Sequence, residues 1–143
     1  MKIGIAADHG GLELKTDLIK QMTTLPFDDL GTKTSDRVDY PHFADKLCLA
    51  IKSDQCNLGI LICGTGIGIS MRANRHAGIR AALVYDEYTA SMAKAHNDAN
   101  IICLGGRTTS TDNAIKLINI WLDTSFEGGR HESRIALIDA PIN

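Results

Sequence analysis

The sequence predicts an α/β domain: a five-stranded parallel sheet with helices on both faces. Three observations carry this expectation. Short continuous apolar runs, such as Leu58-Gly59-Ile60-Leu61-Ile62, read as strands buried on both faces rather than as half-exposed, alternating ones. Helical patterns alternate with these runs along the whole chain, the order that produces parallel strands covered by helices. The length of 143 residues, 44% of them hydrophobic and 22% charged, fits one globular domain over 1–143 with a real core.

Ile3 to Ala7 reads as the first strand, and Leu12, Leu14, Leu18, Ile19 and Met22 as the apolar positions of the helix after it. Pro26 closes that region, and Phe27 to Leu30 makes a short second strand. Gly31 to Asp39 is polar and reads as a loop. Pro41 suits the first residue of a helix whose apolar face is Ala44, Leu47, Cys48 and Ile51. Leu58 to Ile62 is the third strand, and Gly78 to Val84 the fourth. A helix over Asp86 to Ala95 and a fifth strand over Ile101 to Leu104 follow. Thr111 or Asp112 is expected to cap the next helix, whose face is Ala114, Ile115, Leu117, Ile118, Trp121 and Leu122. A last helix begins near Arg130, after Gly128-Gly129, and carries Ile135, Leu137 and Ile138.

The net charge of −2 gives no general attraction to nucleic acid or to anionic membranes, so neither is expected as a partner. No apolar run approaches the ~20 residues of a membrane span. The opening stretch is interrupted by Asp8-His9 too early for a signal peptide. Cys48, Cys56, Cys63 and Cys103 form no C-x-x-C pair, so free thiols in the cytoplasm are expected.

The chemistry centres on Cys63-Gly64-Thr65-Gly66-Ile67-Gly68-Ile69-Ser70, between the third strand and Met71-Arg72-Ala73-Asn74-Arg75, which begins or continues a helix. Three glycines let the backbone bend tightly and approach a bound group. Amides at a helix start gather at one spot suited to an anion, and a thiolate at its edge is favoured by the same field. The motif lacks the Gly-Lys-Ser/Thr of a P-loop, and Ile69 breaks G-x-G-x-x-G. The plainer reading is a turn that only packs a helix on a strand, with Cys63 an inert thiol. Cys48 and Cys103 fit that inert reading well, and Cys56 reads as a loop thiol.

None of the five histidines shows metal-helix i, i+4 pairing or an accompanying carboxylate cluster, so no metal is expected. His42 and His76 read as structural. His96 suits acid–base work near neutral pH or, more plainly, helix termination. Arg130 and Arg134, one turn apart beside an open helix start, suit a phosphate dianion or a solvated face paired with Glu127 or Glu132. Ligands of parallel sheets bind at the carboxyl ends of the strands, so Asp8-His9, Cys63 to Ser70, His96-Asn97 and Arg107 are expected on one rim.

Asp8-His9-Gly10-Gly11, Asp39-Tyr40-Pro41, Cys63 to Ser70, Ala73-Asn74, Gly78-Ile79-Arg80, His96-Asn97-Asp98, Gly105-Gly106-Arg107 and Glu127-Gly128-Gly129-Arg130-His131 together resemble the ribose-5-phosphate isomerase B family. The resemblance runs in order over nearly the whole chain. It implies a Rossmann-like three-layer sandwich and metal- and cofactor-free interconversion of ribose 5-phosphate and ribulose 5-phosphate through a cis-enediolate. Cys63 matches the base of the family's cysteine-bearing branch. The glutamate of the other branch is missing from Ile67 to Ser70. By the same resemblance, Thr65 and the amides of Gly64, Gly66, Ile67, Gly68 and Ser70 hold the enediolate, and His96 opens the sugar ring. Asn97, Asp8 and Tyr40 contact sugar oxygens, and His9, Arg107, Arg130 and Arg134 grip the phosphate. The phosphate therefore moves off the glycine turn. The family also implies a homodimer, with a tetramer as the larger alternative, in which His96, Asn97 and Arg107 come from the neighbouring chain. The alternatives are a related isomerase of allose 6-phosphate or galactose 6-phosphate, or a non-catalytic phosphate-sensing module.

Overall fold

A computed structural model describes residues 1–142. It contains β1 (Ile3–Ala7), α1 (Leu12–Gln21), β2 (Phe27–Asp29), α2 (Tyr40–Lys52), β3 (Leu58–Cys63), α3 (Ile67–Ala73), β4 (Ala81–Leu83), α4 (Glu87–Ala95), β5 (Ile101–Gly105), α5 (Thr111–Asp123) and α6 (Arg130–Asp139). The five strands are all parallel, in the order β2-β1-β3-β5-β4. This is the Rossmann-like α/β arrangement expected from the sequence.

Alternation along buried strands decides which helix each residue meets. Ile60 and Ile62 point to the layer formed by α1, α4 and α5, with Leu14, Leu18, Ala90, Leu117 and Trp121. Leu61 and Cys63 point to the other layer, with Leu47 and Cys48 of α2 and Ile69 and Ala73 of α3. The indole of Trp121 donates to the Ala99 carbonyl at 3.2 Å, satisfying the one polar atom that its burial would otherwise strand.

Several local expectations are corrected. The fourth strand spans only Ala81–Leu83, because Asn74 binds both the N–H and the C=O of Ala81, and Arg80 belongs to the preceding loop. Ser110, not Thr111 or Asp112, caps α5, its hydroxyl accepting from the Asn113 amide at 3.2 Å. Cys56 does lie in the loop between α2 and β3, and it is buried there. Lys15 is buried on α1, where its ammonium reaches Asp29 at 2.5 Å. On α6, Leu137 and Ile138 are 77% and 55% exposed, so this apolar stripe is left uncovered among the described residues. No helix of the described residues is long and apolar enough to cross a membrane.

The strand order sets the site. From β1 the chain steps one way to β2 and the other way to β3. The helices that follow β1 and β3 lie on opposite faces, α1 in one core layer and α3 in the other. The connections leaving the carboxyl ends of β1 and β3 therefore diverge and leave a crevice between them, the switch point of a doubly wound sheet.

Candidate active site

A cleft of about 450 Å³ occupies this crevice, lined by Asp8, His9, Tyr40, Cys63, Gly64, Thr65, Ile67, Gly68 and Arg107. Asp8 and His9 follow β1, Cys63 ends β3, and Arg107 follows β5. Tyr40 reaches in from the first turn of α2.

The Asp8 Oδ1 accepts the amides of Gly10 and Gly11 at 2.9 and 3.1 Å, which fixes the carboxylate and leaves Oδ2 for a ligand hydroxyl. The His9 Nδ1 accepts from the Val38 amide at 3.2 Å, so the ring proton of the neutral imidazole sits on Nε2, a donor for an anion. Arg107 donates its amide to the Gly64 carbonyl at 3.0 Å and lays its guanidinium against Gly64. Among the described residues no carboxylate pairs with it, so its charge is available to a dianion.

Glycine is required where the loop is crowded. Gly66, the residue before α3, has φ of 80°, and a Cβ on Gly68 would sit 2.5 Å from the Tyr40 ring. The Gly66 amide donates to Cys63 Sγ at 3.1 Å, a bond that strengthens when the sulfur carries charge. Burial, with a smaller push from Asp45, raises Cys48 to about 12. Burial also raises Cys103, and burial with the nearby Asp28 raises Cys56.

The loop's amides divide into two groups. Those of Gly66, Ile67 and Ser70 are used within the protein, on Cys63 Sγ, Thr65 Oγ1 and the Gly66 carbonyl. The Ser70 hydroxyl donates to the Ile67 carbonyl at 2.7 Å. This corrects the expectation that Gly66, Ile67 and Ser70 offer amides to substrate. Among the described residues, the amides of Gly64, Thr65, Gly68 and Ile69 meet no protein acceptor, and Gly64, Thr65 and Gly68 line the cleft as available oxyanion donors.

His96 and Asn97 are not in this cleft, which corrects the single-rim expectation. They precede β5, at the amino end of the sheet, where the Asn100 carbonyl accepts from the Gly59 amide at 2.9 Å. The run from Gly59 to Cys63 then separates the two rims by about 13 Å of strand. Arg107 belongs to the same chain's Cys63 cleft, which corrects its expected origin in a neighbour.

Around His96 a second cluster forms. Its ring stacks on His131 with centroids 4.2 Å apart, and Glu127 Oε2 lies 3.7 Å from His96 Nε2 and 3.3 Å from His131 Nε2. The sequence reading gave Glu127 and His131 no site role, and it expected no carboxylate cluster with the histidines. Their adjacency depends on the Gly128-Gly129 bend, with φ of 67° and 56°, which no helical spacing rule anticipates. Arg130 and Arg134 project from the same helix start, exposed and without ion pairs among the described residues. Glu127 faces the histidines, not these arginines. Arg80 ties this rim together: it donates to the carbonyls of Asn97 (3.1 Å) and Asp98 (3.0 Å) and to Asp139 at the end of α6 (2.8 Å). A cavity of about 700 Å³ lies on this rim too, lined by Arg80 and Asn97 among others.

A sequence profile described as Ribose/Galactose Isomerase matches residues 3–138. The chain belongs to this family. It is 40% identical to the ribose-5-phosphate isomerase B of Escherichia coli over 141 residues, covering 97% of this chain and 95% of that protein. Among solved structures, the ribose-5-phosphate isomerase B of Clostridium thermocellum matches with a TM-score of 0.94 and 45% identity, covering 97% of this chain and 95% of that one. The Mycoplasma genitalium enzyme, solved with bound ribulose 5-phosphate, matches with a TM-score of 0.92 and 42% identity, covering 96% and 93%. These solved structures and this chain share one fold.

Proposed function

We propose that this chain interconverts ribose 5-phosphate and ribulose 5-phosphate, with Cys63 as the base and two chains sharing each site. The observation that carries the chemistry is one sulfur at a strand end, held by an amide and facing a cleft with free backbone donors and an unpaired arginine. The likeness to a relative solved with ribulose 5-phosphate supports the substrate.

With the sugar in its open form, the Cys63 thiolate takes the proton from C2. The C2–H electron pair becomes the C1–C2 double bond, and the carbonyl pair moves onto O1 as enediolate charge. The amides of Gly64, Thr65 and Gly68 face that charge, and the Thr65 hydroxyl lies beside it. The proton returns to C1 and the proton of O2 passes to O1, so C2–O2 becomes the ketone and O1 the hydroxyl. Asp8 and Tyr40 orient the hydroxyls, and His9 and Arg107 hold phosphate from this side.

His96, Asn97, Arg130 and Arg134 complete the site from a second copy. The opposite-rim position of His96 supports this reading. So do the exposed Tyr85 and Tyr88, which belong to no core, and the uncovered stripe of Leu137 and Ile138. A homodimer with two such sites is the simplest closed assembly. The four free thiols suit a reducing compartment such as the cytoplasm, and the reaction suits a pentose phosphate pathway.

The test is turnover of ribose 5-phosphate, allose 6-phosphate and galactose 6-phosphate in EDTA. Highest kcat/KM for the pentose phosphate is expected. Preference for a hexose phosphate reassigns the substrate, and binding without turnover of any sugar rejects the isomerase reading.

A further inference from the structure

We infer that His96, Glu127 and His131 form a binding site for a zinc-like divalent metal ion that acts as an inhibitor rather than as a cofactor. The donor atoms of the three residues lie within 4.8 Å of one another. Two ligands each ~2 Å from a tetrahedral ion stand about 3.3 Å apart. Glu127 Oε2 lies 3.3 Å from His131 Nε2 and 3.7 Å from His96 Nε2, and a tilt of the two stacked rings out of parallel brings the set around one ion. Two imidazoles and a carboxylate match the donor preference of zinc, and the open fourth position would take water.

A second observation points to a ligand independently. His131 is 4% exposed, and its Nε2 has no hydrogen-bond partner, because the Glu127 oxygen at 3.3 Å lies off the donor direction. A buried ring nitrogen left unpaired is costly, and a shared proton or a metal ion relieves it. Both Nε2 atoms stand near the same carboxylate oxygen, so the cluster is already assembled around Glu127. Glu127 is held in place through its backbone, its amide donating to the Ala95 carbonyl at 3.0 Å. The site lies on the amino-end rim, away from Cys63 of the same chain. Occupancy removes the His96 ring from proton transfer, and this inhibitory step rests on the ring-opening role given to His96 above.

The experiment titrates the intact protein, freed of metal with EDTA and dialysed, with Zn²⁺ by calorimetry and with Co²⁺ by absorption. Expected are one ion per chain, a tetrahedral cobalt spectrum without a sulfur charge-transfer band, and zinc inhibition that EDTA reverses. Glu127→Gln, at a half-exposed position that leaves folding intact, and His131→Ala should each weaken Zn²⁺ binding at least about tenfold, the loss seen even for outer partners of metal sites. Absence of saturable binding overturns the site. So does binding that persists unchanged in Glu127→Gln, or a cobalt spectrum showing thiolate ligation. Zinc that binds in a Glu127-dependent way yet leaves turnover unchanged upholds the site but overturns both its inhibitory role and the role of His96 in ring opening.

Discussion

Cys63 and His96 lie at opposite ends of the same pair of strands. Cys63 closes β3 opposite Gly105, the last residue of β5, whereas His96 stands before β5 begins. One chain therefore carries the Cys63 thiol on one rim and the His96 imidazole on the other.

Replacing Cys63 by Ala should lower kcat by about 10²- to 10⁴-fold, the usual contribution of a positioned base. The fold should survive, because Sγ makes one hydrogen bond and the loop is held also by the Arg107 amide on the Gly64 carbonyl. Turnover and circular dichroism, measured together, check this. Retained turnover removes Cys63 as the base.

Gly68→Ala should act on binding more than on chemistry. The new Cβ would meet the Tyr40 ring at 2.5 Å, and the ring must swing out of the cleft. A several-fold rise in KM with a smaller change in kcat is expected from steady-state kinetics. An unchanged KM argues that Tyr40 does not contact the sugar.

Arg80→Met should loosen the second rim. Arg80 is largely buried and joins Asn97, Asp98 and Asp139 by hydrogen bonds from one charged group. Loss of such charge-assisted bonds costs about 2 kcal/mol of unfolding free energy. Urea denaturation measures that loss, and kcat should fall with it, because the carbonyl of Asn97 next to His96 loses its anchor.

Stability should fall in acid through Asp45. Hydrogen bonds from Arg72, opposed by partial burial and aided by His76, lower its carboxyl from 3.8 to about 2. A depressed folded value means the contribution is full above the unfolded value of 3.8 and is lost as pH falls from there towards 2. Asp45→Asn should flatten the urea midpoint across that window while leaving turnover at neutral pH unchanged. An equally steep acid loss in the variant assigns the effect elsewhere.

Much of this structure was legible in the sequence because buried strands and amphipathic faces are local signals. Leu58 to Cys63 is a strand for the reason its apolar run suggests, and Ala44, Leu47 and Cys48 do line the buried face of α2. The turn after β3 also announced itself, since three glycines in alternation have few uses. What failed was direction and side-chain choice. His96 lies before its strand, so it belongs to the amino-end rim, a fact present in the element order but hidden by grouping polar residues merely near strands. Lys15 is buried because Asp29 on a neighbouring strand neutralises it, a contact fourteen residues away. The division of loop amides between Cys63, Thr65 and the open cleft is set by atomic geometry that no residue pattern encodes.

The shared site can be tested directly by mixing subunits. Cys63→Ala and His96→Asn chains, each nearly inactive alone, are co-expressed or refolded together. In a mixed dimer one site collects both substitutions and the other collects neither. Half of the randomly assembled dimers are mixed, so about a quarter of wild-type turnover should return. If the mixture stays as inactive as the separate variants although mixed dimers are present, Cys63 and His96 do not meet across an interface.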